Sequence, residues 1–158
     1  MKQGIRDFRL DRHRIEVVLE RDEITWIDDS KATNPHAAAA SLSSFESIVW
    51  VVGGLLKGVD VSPLVAKFAS RLRGVIVIGK ERELVLEALR AEAPNVPVIE
   101  ITTEENEDVM PQAASSALAF AQAGDVVLLA PAAASMDQFK DYADRGSRFA
   151  DAVKALQS

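Results

Sequence analysis

The sequence predicts an α/β fold, in which a Rossmann-like, mostly parallel sheet carries helices on both faces and follows an N-terminal antiparallel hairpin. Two observations lead to this prediction. Continuous apolar runs alternate with segments of helical composition, which is typical of parallel strands that are buried on both faces. Near the start, two β-rich runs are separated only by Arg21-Asp22-Glu23, a spacing that favours a hairpin.

Six segments have the composition of strands, and the first two form the hairpin. They are residues 14–20, 24–28, 48–52, 75–78, 96–101 and 126–129. Trp26 and Trp50 lie inside these runs, so we expect both indole rings in the core. Glycines or a proline follow the central strands, which is consistent with tight turns where those strands end.

Five segments are predicted as helices. They are residues 35–42, 62–72, 81–92, 108–123 and 138–156. Asn34 before Pro35, and Ser62 before Pro63, have the order of an N-cap followed by a proline at the first helical position. Asp137 is a candidate cap for the last helix, and Gly146-Ser147 is a candidate break within it.

The length and composition indicate one globular domain without a nucleic-acid or membrane surface. The chain has 158 residues, 48% hydrophobic and 27% charged, with a net charge of −6; a basic face would be needed to bind nucleic acid or an anionic membrane. It has no cysteine and two histidines, so thiolate chemistry is excluded and we expect no metal site. The charged N-terminal segment and short apolar runs predict a cytoplasmic protein, which we expect to be a monomer.

Ligands of such sheets bind at the carboxyl ends of the strands, and three segments there have suitable chemistry. Residues 28–34 are a dense polar cluster, and residues 130–138 combine small residues with hydroxyl and carboxylate groups. In residues 53–60, Gly53 and Gly58 have the spacing of a phosphate loop, but Val59-Asp60 replace its lysine and hydroxyl residue, so we reject that motif. Each segment taken alone is equally compatible with an ordinary turn or helix cap.

Several charged residues are interpreted as solvated. Asp141 with Arg145, and Asp144 with Arg148, have the i, i+4 spacing of exposed helical ion pairs. His13 is expected to be exposed.

Taken together and in order, three motifs resemble the C-terminal domain of the Mur ligases, in particular the members that add D-glutamate. The motifs are Asp29-Ser30-Lys31-Ala32-Thr33-Asn34-Pro35-His36, then Gly53-Gly54 with Lys57, then Ser135-Met136-Asp137-Gln138-Phe139-Lys140 through Arg145-Gly146 and Phe149. The lead-in from Phe8-Arg9 to Glu16 is also similar. The resemblance covers nearly the whole chain.

This resemblance implies one domain of a three-domain, ATP-dependent ligase of peptidoglycan synthesis. The other two domains, which bind the UDP-sugar and ATP with Mg²⁺, are expected to be absent from this chain. The substrates would be D-glutamate, ATP and UDP-N-acetylmuramoyl-L-alanine, whose carboxylate ATP activates as an acyl phosphate before the amine attacks, with release of ADP and phosphate. We therefore expect the isolated chain to fold but not to catalyse.

Four residues match positions that contact D-glutamate in the family. Thr33 and Ser135 correspond to carboxylate contacts, and Lys57 corresponds to the lysine that pairs with a carboxylate. Tyr142 lies where the family has an aromatic residue near the same ligand. Phenylalanine is familiar there, so the hydroxyl of Tyr142 is a departure from the family pattern.

Three further residues match positions on the side of the reaction centre and the nucleotide. Lys31 would be catalytic, near the transferred phosphoryl group or the amino acid. Arg14 and Asp29 would bind the nucleotide, with Asp29 toward the ribose.

Two other hypotheses compete with the ligase assignment. A signalling receiver-like module also has an acidic pair after an early strand, but it needs an aspartate at the end of its third strand, where this sequence has Gly53 or Gly79 or the Ala130-Pro131 turn. The chain is alternatively a stand-alone relative of the domain, with a purely ligand-binding role.

Overall fold

The computed structural model describes residues 13–156, which form one six-stranded sheet with helices on both faces. The strands are β1 (Glu16–Arg21), β2 (Ile24–Asp28), β3 (Ile48–Val52), β4 (Leu72–Val77), β5 (Val98–Glu100) and β6 (Val126–Leu129). The helices are α1 (Pro35–Leu42), α2 (Ser62–Phe68), α3 (Arg82–Glu92), α4 (Asn106–Phe120) and α5 (Tyr142–Ala155), with a short 3-10 helix (Ala69–Arg71) after α2. Within the described range, no helix is both long and apolar enough to cross a membrane.

The strand order in the sheet is β1-β2-β6-β3-β4-β5. β1 and β2 pair antiparallel, and all other neighbouring strands pair in parallel. The predicted fold class is therefore confirmed. Because β1 runs against the other strands, its first residues lie at the edge where the other five strands end, and this edge collects the candidate site.

Two apolar layers hold the helices to the sheet. On one face, β-strand side chains such as Trp50 pack with buried residues of α1, α2 and α3. On the other face, Trp26 and its neighbours pack with buried residues of α4 and α5. Trp26 is 2% exposed and Trp50 is fully buried, so the prediction that both belong to the core is confirmed.

Three strands have bounds that differ from the predicted ones. β1 covers Glu16–Arg21 in place of residues 14–20, and the differences at β4 and β5 have local causes. β4 begins at Leu72, three residues before the predicted start, because Leu72 pairs with Ile48 of β3 and Gly74 accommodates the ring of Phe120 over its Cα. β5 begins at Val98 and not at residue 96. Pro97 precedes it and has no N–H to donate to a neighbouring strand.

α2 differs from the prediction at its cap and at its end, since it stops at Phe68 and not near residue 72. The helix begins at Ser62 itself, and the N–H of Ser62 donates to the Asp60 carboxylate at 2.9 Å. The expectation that Ser62 caps the helix was wrong. By contrast, Asn34 caps α1 as predicted, accepting the Ala37 N–H at 2.9 Å.

The last helix is shorter than predicted and is unbroken. α5 begins at Tyr142, where the Asp141 carboxylate caps it by accepting the Asp144 N–H at 2.8 Å. The preceding residues form a loop, so Asp137 is not its cap. The helix continues through Gly146 without a break, which contradicts the expected interruption there.

Candidate functional site

Loops that follow β2, β3 and β6 meet at the carboxyl edge of the sheet and are joined through their backbones. The Ala132 N–H donates to the Ala32 carbonyl at 3.0 Å, which links the loop after β6 to the loop after β2. Leu55 and Ala134 exchange two backbone hydrogen bonds of 2.9 and 3.0 Å, which link the loop after β6 to the loop after β3. The three segments that the sequence indicated therefore form one continuous surface.

A glycine allows the loops after β3 and β6 to lie this close together. Gly54 has a φ of +146°, and a Cβ built on it would lie 2.3 Å from the Ala134 carbonyl oxygen. Any other residue would push the two loops apart. The Gly53-Gly54 pair, which looked like part of a phosphate loop, thus serves here to bring two backbones together.

A buried arginine from α5 holds the loops after β2 and β6 on the helix. Arg145 is fully buried. Its Nε donates to the Ser30 Oγ at 2.8 Å, and its two terminal nitrogens donate to the carbonyls of Ser30 at 2.7 Å and Ala133 at 2.9 Å. Ser30 Oγ in turn donates to the Tyr142 carbonyl at 2.7 Å. One guanidinium therefore fixes the segments that carry Lys31 and Ser135 relative to each other.

Arg145 stays charged in this position. Burial lowers the pKa of its guanidinium to about 10, and the charges of Asp137 and Asp28 oppose that decrease. The expectation that Arg145 forms an exposed ion pair with Asp141 was wrong, because Arg145 points into the molecule and Asp141 caps the helix. The second predicted pair is confirmed, with Arg148 Nε at 3.0 Å from Asp144 Oδ1.

His13 lies beneath the same surface and is bonded to the end of β2. Its side chain is 6% exposed, and its Nδ1 lies 2.5 Å from the Asp28 Oδ2. Burial raises the pKa of Asp28, which the hydrogen bonds from His13 and the Ser30 N–H oppose. The expectation that His13 is exposed was wrong. The backbone carbonyl of His13 also accepts the Lys31 N–H at 3.0 Å, so this residue connects the start of β1 to the loop after β2.

Lys31 and Tyr142, two predicted site residues, lie beside each other. The Lys31 ammonium is 5.9 Å from the centre of the Tyr142 ring, a distance at which a cation is attracted to the ring face. Tyr142 is 36% exposed. The His13 ring meets the same tyrosine edge-on, with centroids 6.4 Å apart. The aromatic ring thus lies at the surface, between a cation and the buried His13.

The three predicted residues on the nucleotide side line one open cavity of about 320 Å³, which also reaches α1. They are Arg14, Asp29 and Lys31. Burial raises the pKa of Asp29, while the Ser41 hydroxyl, the Ile15 N–H and the charge of Arg14 oppose that increase. Ser41 is fully buried and also lines the cavity. Two cations, a carboxylate and a hydroxyl therefore line this cavity. The cations can bind anionic groups such as phosphates, and the carboxylate can accept hydrogen bonds from hydroxyls.

The remaining predicted residues lie on the joined loops. Thr33 is half-buried after β2, and Ser135 is buried after β6, one residue beyond the Leu55–Ala134 pairing. Lys57 is exposed after β3 and has a left-handed backbone with a φ of 55°. The loop contacts place these three backbones at the same edge of the sheet.

Among the described residues, one group has a spacing that could hold a metal ion. The ligand atoms of His13, Glu16 and Asp28 lie within 4.8 Å of one another. However, His13 and Asp28 are already hydrogen-bonded to each other, and Glu16 accepts the His13 N–H at 3.0 Å. A group that is internally bonded and includes a buried imidazole does not fit Mg²⁺, which prefers oxygen ligands and retains water.

Sequence reasoning missed Arg145 and His13 as organisers of the site. Arg145 was visible as part of a motif, but its i, i+4 partner suggested a solvent-facing helix. A buried role could have been inferred from the pattern of α5, because Arg145 and Gly146 share the face that carries the buried Phe149 and Val153.

Comparison with known sequences places the chain in a family. The sequence profile described as "Mur ligase, glutamate ligase domain" matches residues 13–133. The UDP-N-acetylmuramoylalanine–D-glutamate ligase of Leifsonia xyli subsp. xyli is 58% identical over 146 residues, which cover 92% of this chain and 28% of that protein. The ligase of the same name from Streptomyces avermitilis is 53% identical over 156 residues, covering 99% of this chain and 33% of that protein. The chain thus spans about a third of the length of these relatives.

Solved structures with low sequence identity share the fold. The UDP-N-acetylmuramate-alanine ligase of Thermotoga maritima superposes with a TM-score of 0.56 at 15% identity, over 91% of this chain and 30% of that chain. MurF from Acinetobacter baumannii gives the same TM-score and identity, over 91% of this chain and 31% of that chain. Together with the profile match over most of the chain, these findings show that this protein belongs to the family of Mur ligase C-terminal, glutamate ligase domains.

Proposed function

We propose that this chain is the amino-acid-accepting domain of an ATP-dependent ligase that adds D-glutamate to UDP-N-acetylmuramoyl-L-alanine. The observation that carries the proposal is the joining of three loops at one sheet edge, which brings Thr33, Lys57 and Ser135 to the edge where Lys31 lies beside Tyr142. Relatives that are named as D-glutamate ligases support the choice of amino acid. The order β1-β2-β6-β3-β4-β5, with β1 antiparallel, differs from the 2-1-3-4-5 order of receiver domains, which weighs against that alternative.

In this proposal, D-glutamate is held through its two carboxylates. Lys57 forms a charge-assisted hydrogen bond with one carboxylate, and the Thr33 and Ser135 hydroxyls donate to the carboxylates from neighbouring loops. Tyr142 packs against the ligand from the start of α5. This arrangement leaves the amine free to face the reacting carboxylate and excludes water from that side.

Lys31 acts at the reaction centre, and Arg14 and Asp29 bind the nucleotide. Bound ATP would supply the phosphoryl group that activates the substrate carboxylate. On this chain, Arg14 would neutralise phosphate charge and the Asp29 carboxylate would accept hydrogen bonds from ribose hydroxyls. Lys31, beside Tyr142, would stabilise negative charge between the nucleotide and the amino acid. The Mg²⁺ ligands are assigned to the ATP-binding domain of the intact ligase.

A titration of the 158-residue chain with D-glutamate, followed by amide NMR shifts, tests the amino-acid site. We expect the shift changes to cluster at Thr33, Lys57 and Ser135, and to be much smaller with L-glutamate. Lys57→Ala should weaken binding by about tenfold or more, because one charge-assisted bond is lost. Lys67→Ala, which removes an exposed lysine of α2, is the matched control and should leave binding unchanged. Shifts that scatter over the surface, or an equal response to L-glutamate, would contradict the assignment.

A further inference from the structure

The turn between β4 and α3 is hydrogen-bonded to two loops of the site. One is the loop after β3, which carries Lys57, and the other is the loop after β6, which carries Ser135. The Gly79 N–H donates to the Gln138 side chain at 3.1 Å, and the Lys80 N–H donates to the Asp137 carboxylate at 2.6 Å. On the other side, the Glu81 carboxylate accepts the Leu56 N–H at 2.6 Å. Nothing in the proposed ligand contacts involves this turn, yet it adds a second connection between the two loops that Leu55 and Ala134 join directly.

Glu81 does not use its carboxylate in the usual way for its position. It directly precedes α3, a position from which a capping side chain accepts an N–H of its own helix. Glu81 caps no such N–H. Its carboxylate instead reaches Leu56, 25 residues earlier in the chain, with a short charge-assisted hydrogen bond.

The amide that Glu81 binds is next to a residue in a strained conformation. Lys57 has a φ of 55°, in the left-handed region that residues with a Cβ adopt at an energetic cost. Such a conformation persists where surrounding contacts hold it. Leu55 is held by its backbone pairing with Ala134, and the Leu56 carbonyl accepts the Val59 N–H at 3.1 Å. Glu81 supplies the contact to the Leu56 N–H, immediately before the strained residue.

We propose that Glu81 is a positioning residue for Lys57. By accepting the Leu56 N–H, its carboxylate holds the left-handed backbone from which the Lys57 ammonium reaches the carboxylate of the amino-acid ligand. This inference rests on the proposed function for the identity of the ligand. The hydrogen bond and the strained backbone on which it depends are independent of that identity.

Because Glu81 is negatively charged, the direction in which its removal changes D-glutamate affinity distinguishes a positioning role from a charge effect. A carboxylate near an anionic ligand repels it, so removal of Glu81 would tighten D-glutamate binding if charge alone mattered. If Glu81 positions Lys57, its removal weakens binding despite the loss of that repulsion. The two interpretations therefore predict opposite changes in affinity.

The test compares Glu81→Ala and Glu81→Gln with Glu83→Ala in the 158-residue chain. Glu83 is exposed in the first turn of α3, where it pairs with Arg90 at 2.7 Å. Glu83→Ala removes one negative charge, as Glu81→Ala does, and therefore makes the same change in net charge. Amide hydrogen exchange at Leu56 reports on the hydrogen bond, and NMR titration with D-glutamate reports on affinity. Glu81→Ala should accelerate exchange at Leu56 by about tenfold or more and raise the Kd at least severalfold. Glu81→Gln keeps an acceptor oxygen and should recover most of both losses, while Glu83→Ala should change neither.

Unchanged exchange at Leu56, or unchanged or tighter D-glutamate binding in Glu81→Ala, would overturn the positioning role. If Glu81→Ala does not fold, Glu81→Gln provides the test. This variant loses the negative charge but keeps an acceptor for the Leu56 N–H, so its Kd should stay within about threefold of wild type. Tighter D-glutamate binding in Glu81→Gln would again indicate a charge effect alone. If the wild-type chain shows no response to D-glutamate, the proposed function fails. The exchange rate of Leu56 in the variants still decides whether Glu81 holds this loop.

Discussion

The Arg145 guanidinium is fully buried, and its fixed fork of N–H donors explains how the fold retains a charge there. Three hydrogen bonds connect it to Ser30 and Ala133, two residues on different loops. A lysine could not reproduce this geometry, because its single ammonium cannot serve a hydroxyl and two separate carbonyls from one plane. At the scale of a residue, one buried side chain thus holds two loops of the site together.

Arg145→Ala should destabilise the chain by about 3 kcal/mol, because two buried carbonyls lose their donors and a cavity remains. Chemical denaturation followed by circular dichroism measures this loss. Arg148→Ala is the matched control on the same helix, since Arg148 forms an exposed i, i+4 pair with Asp144. It should cost about 0.5 kcal/mol or less. Equal losses for the two variants would show that the buried contacts of Arg145 contribute nothing specific.

At the scale of an element, α5 packs closely against His13 and Asp28. A Cβ built on Gly146 would lie 2.3 Å from His13 Nδ1 and 2.7 Å from Asp28 Oδ2. The helix therefore needs a glycine at the point where it crosses the buried His13–Asp28 pair. The same crossing brings Arg145 onto Ser30 and Tyr142 beside Lys31, so the depth at which α5 packs sets the shape of the site.

Gly146→Ala should destabilise the chain by about 2 kcal/mol, through overpacking against His13 and Asp28. This sign is the reverse of that expected for an ordinary helix interior, where alanine in place of glycine stabilises by about 0.5 to 1 kcal/mol. Thermal and urea unfolding measure the change. Ser147→Ala, at the next and exposed position of α5, should change stability by no more than about 0.5 kcal/mol. A stabilised Gly146→Ala variant would mean that the helix moves away from His13 without cost.

At the scale of the whole molecule, the proposed function assigns to this chain the loops that would receive the amino acid and a cavity that would face the nucleotide. Its sequence contains no phosphate-loop motif. It spans about a third of the length of its relatives. The proposed reaction accordingly needs groups that these loops do not supply.

The 158-residue chain should release no ADP from ATP, D-glutamate and UDP-N-acetylmuramoyl-L-alanine, because its sequence lacks the phosphate-loop motif that would hold the ATP phosphates. A coupled ADP assay measures this outcome. The full-length D-glutamate ligase of Leifsonia xyli, assayed in parallel, shows that the conditions support turnover. ADP release by the chain above the enzyme-free rate would contradict the proposal that the ATP-binding domain of the intact ligase is needed for the reaction.

Much of the fold could be predicted from local patterns. Neighbouring residues are enough to predict three features: the apolar runs of β3 and β6, the hairpin of β1 and β2, and the Asn34 cap before Pro35. The structure confirms all three. The bounds were less accurate where distant contacts decide them. β4 extends to Leu72 because β3 pairs with it, and α5 starts late because residues before it bond to the turn after β4.

By itself, the sequence determined the α/β class, the buried strands and the motifs that identify the family, because each depends on residues close together in the chain. The tertiary structure alone decided which loops touch and which groups the buried charges meet. Arg145 and Ser30 are 115 positions apart, and the periodicity of α5 can indicate that a face is buried but not which distant loop it contacts. The role proposed for Glu81 likewise depends on a contact with Leu56, 25 residues earlier in the chain.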